Sequence, residues 1–196
     1  MGIDTLSGSA RIPLDDRATL LRLARETLAC YLDGRPVPDV PDRSALREQR
    51  AVFVTLRRRE TGELRGCRGE SIARRALGEA VPMMAIAAAV DDPRFFPVTV
   101  EELPRLHIEI SALSAPAPID PDDVVVGQHG LILRAGGRAG LLLPQVPTEH
   151  GWDRTTYLTG LCRKAGLPPD AWKLPSADLQ AFTAEVWGEE EPVEPG

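Results

Sequence analysis

The chemistry this sequence can offer gathers around one thiol. Cys67 stands in the run Leu64-Arg65-Gly66-Cys67-Arg68-Gly69, framed by two glycines and flanked by two arginines. Nearby positive charge favours the thiolate and lowers a cysteine pKa, and the thiolate is the nucleophilic form. Glycine lets the backbone adopt φ > 0 and approach another group closely. Successive N–H groups in such a turn can form an anion nest. The segment is not a P-loop, because it lacks the GK[ST] ending. The plainer alternative is a small buried cysteine in a tight bend. Both readings stand at this level.

From Arg57 to Arg75 seven arginines meet three glutamates, a local excess of four positive charges in a chain of net charge −6. A solvated face is one reading. An electropositive cleft for an anionic small molecule is the other. The acidic total disfavours general nucleic-acid binding. No metal set emerges: His107, His129 and His150 form no HxH, HxxxH or HExxH pattern. Cys30, Cys67 and Cys162 contain no CxxC pair and suggest free thiols in a reducing compartment. The apolar run 81–90 is too short to span a bilayer, and the polar start does not look like a signal peptide. A cytoplasmic protein is expected.

The elements that must position these groups can be read from periodicity. Apolar residues from Leu20 to Leu32 repeat at three and four positions, as an amphipathic helix requires. Asp15 is expected to cap it and Gly34 with Pro36 to stop it. Residues 51–56 (AVFVTL) read as a strand, Thr61-Gly62 as a turn, and Leu64 onward as the paired strand. A helix is expected over about residues 73–90, with a kink or restart at Pro82. In His107–Leu113, Ile108, Ile110 and Ala112 point one way and His107, Glu109 and Ser111 the other. Residues 130–143 read as a hairpin turning at Gly136-Gly137. Asp153 is expected to cap a helix that ends at Gly166. Residues 179–187 fit either a helix or a strand, and the alternation of Phe182, Ala184 and Val186 favours the strand. Residues 189–196 are expected to form a disordered tail. Strands paired through short turns favour an α+β fold with an antiparallel sheet and flanking helices.

A resemblance carries further. The run FVTLRRRETGELRGCRG is similar to the hallmark strand-turn-strand of the AMMECR family, whose bacterial and archaeal members are also called AmmeMemoRadiSam system protein A. The likeness continues through Ala87-Ala88-Ala89, Asp91-Asp92-Pro93-Arg94-Phe95 and Ile108-Glu109-Ile110-Ser111. It then runs through Gly127-Gln128-His129-Gly130-Leu131, Leu142-Leu143-Pro144-Gln145-Val146, Gly151-Trp152-Asp153 and Cys162-Arg163-Lys164-Ala165-Gly166-Leu167. Arg68, where the family usually has an apolar residue, and Pro82 depart from the pattern. The resemblance implies a single α+β domain, ordered over about residues 12–188, in two lobes with a cleft between them. It implies a radical SAM protein and a Memo-like protein as partners, and it names no cofactor.

Carried over residue by residue, the resemblance singles out Arg65, Cys67, Asp92, Arg94, Glu109, His129, Gln145 and Glu149. One expected function is an enzyme or enzyme subunit with a Cys67-centred cleft. Cys67 is then nucleophile or covalent anchor, and His129 or Glu109 is general base or orienting group. Arg65, Arg68 and Arg94, with Gln145 and Glu149, would hold an anionic substrate. The competing expectation is a non-catalytic adaptor that binds a radical SAM or Memo-like partner.

Overall fold

The computed structural model describes residues 11–189. Its described residues resolve into two units, one formed by Leu113–Ala184 and a larger one by Arg11–Ala112 together with residues 185–189. Helix α1 (Leu14–Leu32) belongs to the larger unit. Asp15 does not cap it. Pro13 holds the N-cap without a side-chain bond, and Asp15 and Asp16 lie in the first turn, where the helix dipole favours them. Gly34 (φ +68°) ends the helix, with the Arg35 N–H donating to the Cys30 carbonyl at 2.8 Å.

Strands β1 (Val52–Arg58) and β2 (Leu64–Glu70) form the expected hairpin. Helix α2 (Leu77–Val90) starts later than its composition suggests. The reason is local: Ala76 bridges to Gln49, and the Leu77 N–H donates to the Glu48 carbonyl at 2.9 Å. Pro82 lies inside α2 without a restart. It forfeits one backbone bond, to Gly78, but Val81, Ala85, Ala88 and Ala89 around it are all buried. Strand β3 (Leu106–Leu113) pairs antiparallel with β1. The sheet order is β2-β1-β3, with a last strand, β8 (Ala184–Gly188), on the β3 edge. Val52, Val54, Leu56, Ile108, Ile110 and Ala112 pack with Leu20, Ala24 and Leu28 of α1 and with α2 in one core. The helices therefore cover one face of this sheet.

The smaller unit has its own sheet. Its strands are β4 (Ala117–Pro118), β5 (Gly130–Ala135), β6 (Arg138–Leu142) and β7 (Asp178–Phe182), in the order β4-β7-β5-β6. Gly136 and Gly137, both at positive φ, make the β5–β6 turn. A one-turn helix, α3 (Gln145–Glu149), precedes α4 (Arg154–Lys164). Asp153 caps α4 by accepting from the Thr156 N–H at 2.7 Å. Tyr157, Leu158, Leu161 and Cys162 of α4 pack on Leu131, Leu133, Leu179 and Ala181.

Residues 179–187 are strand, as favoured, but Thr183 divides them between the two sheets. The expected tail needs a correction at its first residue. The Glu189 carboxylate accepts from Arg25, from Arg59 Nη2 at 2.7 Å and from the Ile108 N–H at 3.0 Å. Residues 190–196 of that tail lie outside the described residues. No helix among the described residues is long and apolar enough to cross a membrane.

Candidate functional site

Cys67 does not sit in a glycine turn. Residues Leu64–Glu70 are extended strand, and neither Gly66 nor Gly69 has a positive φ. These glycines serve close approach instead. A Cβ on Gly66 would stand 2.1 Å from the Ala88 carbonyl oxygen of α2, and one on Gly69 would stand 2.3 Å from the Phe53 ring. The anion nest is likewise corrected, because the Cys67 N–H donates to Asp92 Oδ2 at 2.8 Å.

Register places three chemistry-bearing side chains in one row. Thr55 of β1 lies opposite Cys67 of β2 on one side and opposite Glu109 of β3 on the other. Directly paired residues project to the same face. The row therefore shares the face opposite the helices, since Val54, Leu56, Ile108 and Ile110 fill the other. The Thr55 hydroxyl donates to Cys67 Sγ at 3.4 Å. Cys67 and Glu109 stand two strand spacings apart, about 9–10 Å. Cys67 is half-buried, Thr55 is buried and Glu109 is half-buried. Among the described residues Glu109 forms no ion pair.

Asp92, just past the end of α2, fastens the site. Besides the Cys67 N–H, it accepts from the Arg94 N–H at 3.1 Å, from Arg94 Nε at 2.9 Å and from Arg94 Nη2 at 2.7 Å. The Arg94 bonds hold its carboxyl far below the usual carboxylate range, and burial opposes them only in part. The Arg94 guanidinium is raised in turn, chiefly by Asp92 and to a lesser degree by the Cys67 sulfur.

Arg65 is the extra residue of a bulge: Leu56 pairs with Gly66 and Arg57 with Leu64, leaving Arg65 between them. Its side chain is 7% exposed. Nε and Nη2 bind the Glu102 carboxylate at 3.0 and 2.9 Å, and the Glu102 carboxyl is lowered chiefly by that contact. Arg65 Nη1 is buried and has no partner among the described residues. The guanidinium groups of Arg65 and Arg94 both lie against Phe95, at 5.9 and 5.5 Å from the ring centroid. Arg68 is exposed, with no ion pair among the described residues.

The remaining predicted groups belong to the smaller unit. His129 is buried, and its Nδ1 accepts from the Val125 N–H at 3.2 Å. A neutral ring that accepts at Nδ1 carries its proton on Nε2. Burial pushes the imidazole below its ordinary pKa, with Asp123 opposing. The Tyr157 hydroxyl donates to the His129 carbonyl at 3.0 Å, and burial pushes that phenol well above its ordinary value. Gln145 and Glu149 are both exposed and lie one turn apart on α3.

The larger unit thus brings together Cys67, Glu109, Arg65, Asp92 and Arg94. Thr55, Phe95 and Glu102 were not singled out from sequence. Thr55 could have been, as a hydroxyl inside an otherwise apolar strand; Glu102 carried no local signal.

The sequence model of the AMMECR1 family matches residues 21–187. The chain belongs to the AMMECR1 family. Its relatives include Protein MK0488 of Methanopyrus kandleri, 42% identical with 94% of each chain covered. A protein of Thermococcus gammatolerans is 46% identical over 90% of this chain and 91% of its own. The crystal structure of the uncharacterized protein PH0010 from Pyrococcus horikoshii is 43% identical to this AMMECR1-family chain. It superposes with a TM-score of 0.76 over 88% of this chain and 91% of that one. The α+β fold with its antiparallel sheets is therefore shared with a solved relative.

Proposed function

We propose that the chain is a cytoplasmic enzyme or enzyme subunit that acts through Cys67 on an anionic small molecule. The observation that carries this reading is the row Cys67–Thr55–Glu109, with the sulfur hydrogen-bonded and, on the same face, a carboxylate that forms no ion pair among the described residues. Cys67 serves as nucleophile or covalent anchor, and Glu109 as general base. The anionic class is supported by the buried Nη1 of Arg65, which has no partner among the described residues, and by the exposed guanidinium of Arg68. Arg94 adds a half-exposed cation beside the thiol.

The test is alkylation of the native protein by iodoacetamide near neutral pH, read by mass spectrometry. Cys67 is expected to react several-fold faster than Cys30 and Cys162. Equal or slower labelling at Cys67 would sink the nucleophile. A second reading, an adaptor that docks a radical SAM or Memo-like protein, draws support from Phe96, which is 90% exposed two residues after Arg94. The same labelling experiment separates the two, because an adaptor has no need of a fast thiol.

A further inference from the structure

The thiol is not placed by its own strand alone. Position 55 lies in the run Val52-Phe53-Val54-Thr55-Leu56, on a strand flanked by β2 and β3, and is 8% exposed. A β-branched apolar residue would fill that place without any polar atom to satisfy. Threonine puts a hydroxyl there instead, on a side chain whose χ1 the branched Cβ holds stiff. Among the described residues the one hydrogen bond of that hydroxyl is to Cys67 Sγ, at 3.4 Å. The buried hydroxyl therefore has its donor committed to the sulfur, and that bond sets the direction in which Sγ points.

We propose that Thr55 is a positioning residue of the Cys67 site, its hydroxyl holding the sulfur on the face it shares with Glu109. The inference rests on the reading of Cys67 as a reactive thiol. Ionisation breaks the S–H bond and gives its proton to solvent. The Thr55 hydroxyl keeps its own proton and donates to the resulting anion. The anchor is two-sided: the Asp92 carboxylate takes the Cys67 N–H while Thr55 takes the Sγ. Backbone and side chain of the same residue are fixed by different elements, which leaves the sulfur a narrow range of positions. Nothing in this arrangement is required for the sheet, since the helix-facing core of β1 is complete with Val52, Val54 and Leu56.

The test compares wild type, Thr55→Val and Thr55→Ser. The rate of iodoacetamide labelling at Cys67 is followed against pH by mass spectrometry, with Cys30 and Cys162 as internal controls. Thr55→Val is expected to slow Cys67 several-fold at neutral pH. Thr55→Ser is expected to keep the rate close to wild type, and the two control thiols to be unchanged. A Thr55→Val profile that overlays wild type, with Cys67 still the fastest thiol, overturns the role of Thr55 and leaves the reading of Cys67 intact. A wild-type Cys67 no faster than Cys30 overturns both. If Thr55→Val lacks a cooperative melting transition, Thr55→Ala reads the same quantity.

Discussion

A buried carboxylate that accepts four hydrogen bonds is expensive to disturb, and Asp92 is the clearest case here. Replacing it with alanine strands the Cys67 N–H and leaves Arg94 unpaired. Hydrogen bonds to a charged group are each worth about 1.5–3 kcal/mol. Because Arg94 is half-exposed and can turn to water, a total near 2–3 kcal/mol is expected for Asp92→Ala. Denaturant titration at neutral pH measures it, and a loss below about 0.5 kcal/mol would remove Asp92 as the fastening group. The sign with pH follows from the lowered carboxyl. Its stabilisation is fully present above the unfolded value, about 3.9, and is lost progressively as pH falls from there through the much lower folded value. The gap between wild type and Asp92→Asn should therefore hold down to about pH 4 and narrow below it. His129 has the opposite charge type. Its imidazole is held neutral by burial and by the Val125 N–H, so its folded pKa lies below the unfolded value of about 6.5. That contribution is complete above about pH 6.5 and declines as pH falls through the folded pKa. His129→Asn should flatten the pH dependence of stability between about 6.5 and 5, and an unchanged slope would show that the ring is not held neutral.

At the scale of elements, what periodicity can express was legible. The alternation in His107–Leu113 fixed which residues of β3 face the helices, and Ile108, Ile110 and Ala112 are fully buried. The glycine turns and the Asp153 cap were legible because each is a local device. Two things were not. The glycines around Cys67 resemble turn glycines in sequence, but their purpose is a contact with a helix 22 residues further on at Ala88 and a ring at Phe53. The start of α2 is set by the backbone of Glu48 and Gln49, a tertiary restraint that overrides helix propensity at Ala73 and Arg74. The same holds for the site. The Leu64–Gly69 motif suggested Cys67 and the family resemblance suggested Glu109, but only the register of β1 shows that Thr55 stands between them. The packing of α2 on β2 makes a sharp prediction. Gly66→Ala drives a methyl group to 2.1 Å from the Ala88 carbonyl, a backbone atom that cannot swing aside. The loss should reach or exceed the top of the about 1–3 kcal/mol usual for overpacking. Thermal melting measures it, and a neutral outcome would mean that α2 does not lie against β2 at this point.

At the scale of the whole molecule, the chain closes its larger unit with its last described strand. Residues 11–112 supply the two helices and three of the four strands, and β8 arrives only after the smaller unit has been completed. What β8 brings is chiefly charge and one ring. Glu185 accepts from Arg17, from Arg50 Nη1 at 3.0 Å and from the Ile12 N–H at 3.3 Å. Trp187 packs on the core, lies 5.3 Å from the Arg17 guanidinium and donates its indole N–H to the Arg17 carbonyl. Glu189 binds Arg25 and Arg59. A fragment of residues 11–112 therefore lacks an edge strand, a core-packed indole and the carboxylates that neutralise these arginines. It bares the edge of β3, which then lacks its strand partner. The described part of the smaller unit, residues 113–184, is a single stretch with its own core around Tyr157. The two fragments should accordingly behave differently. Residues 113–184 should melt cooperatively in isolation, at a temperature below that of the full chain, because a unit of this size buries little surface. Residues 11–112 should show no cooperative transition alone, and should regain one when the segment from Glu185 onward is joined to them through a short glycine-serine linker. Circular dichroism against temperature reads all three. If residues 11–112 melt cooperatively at the full-chain temperature without β8, the closing strand contributes nothing to that unit, and its arginine–carboxylate pairs are surface ornaments of the kind that mutational cycles usually find worth little.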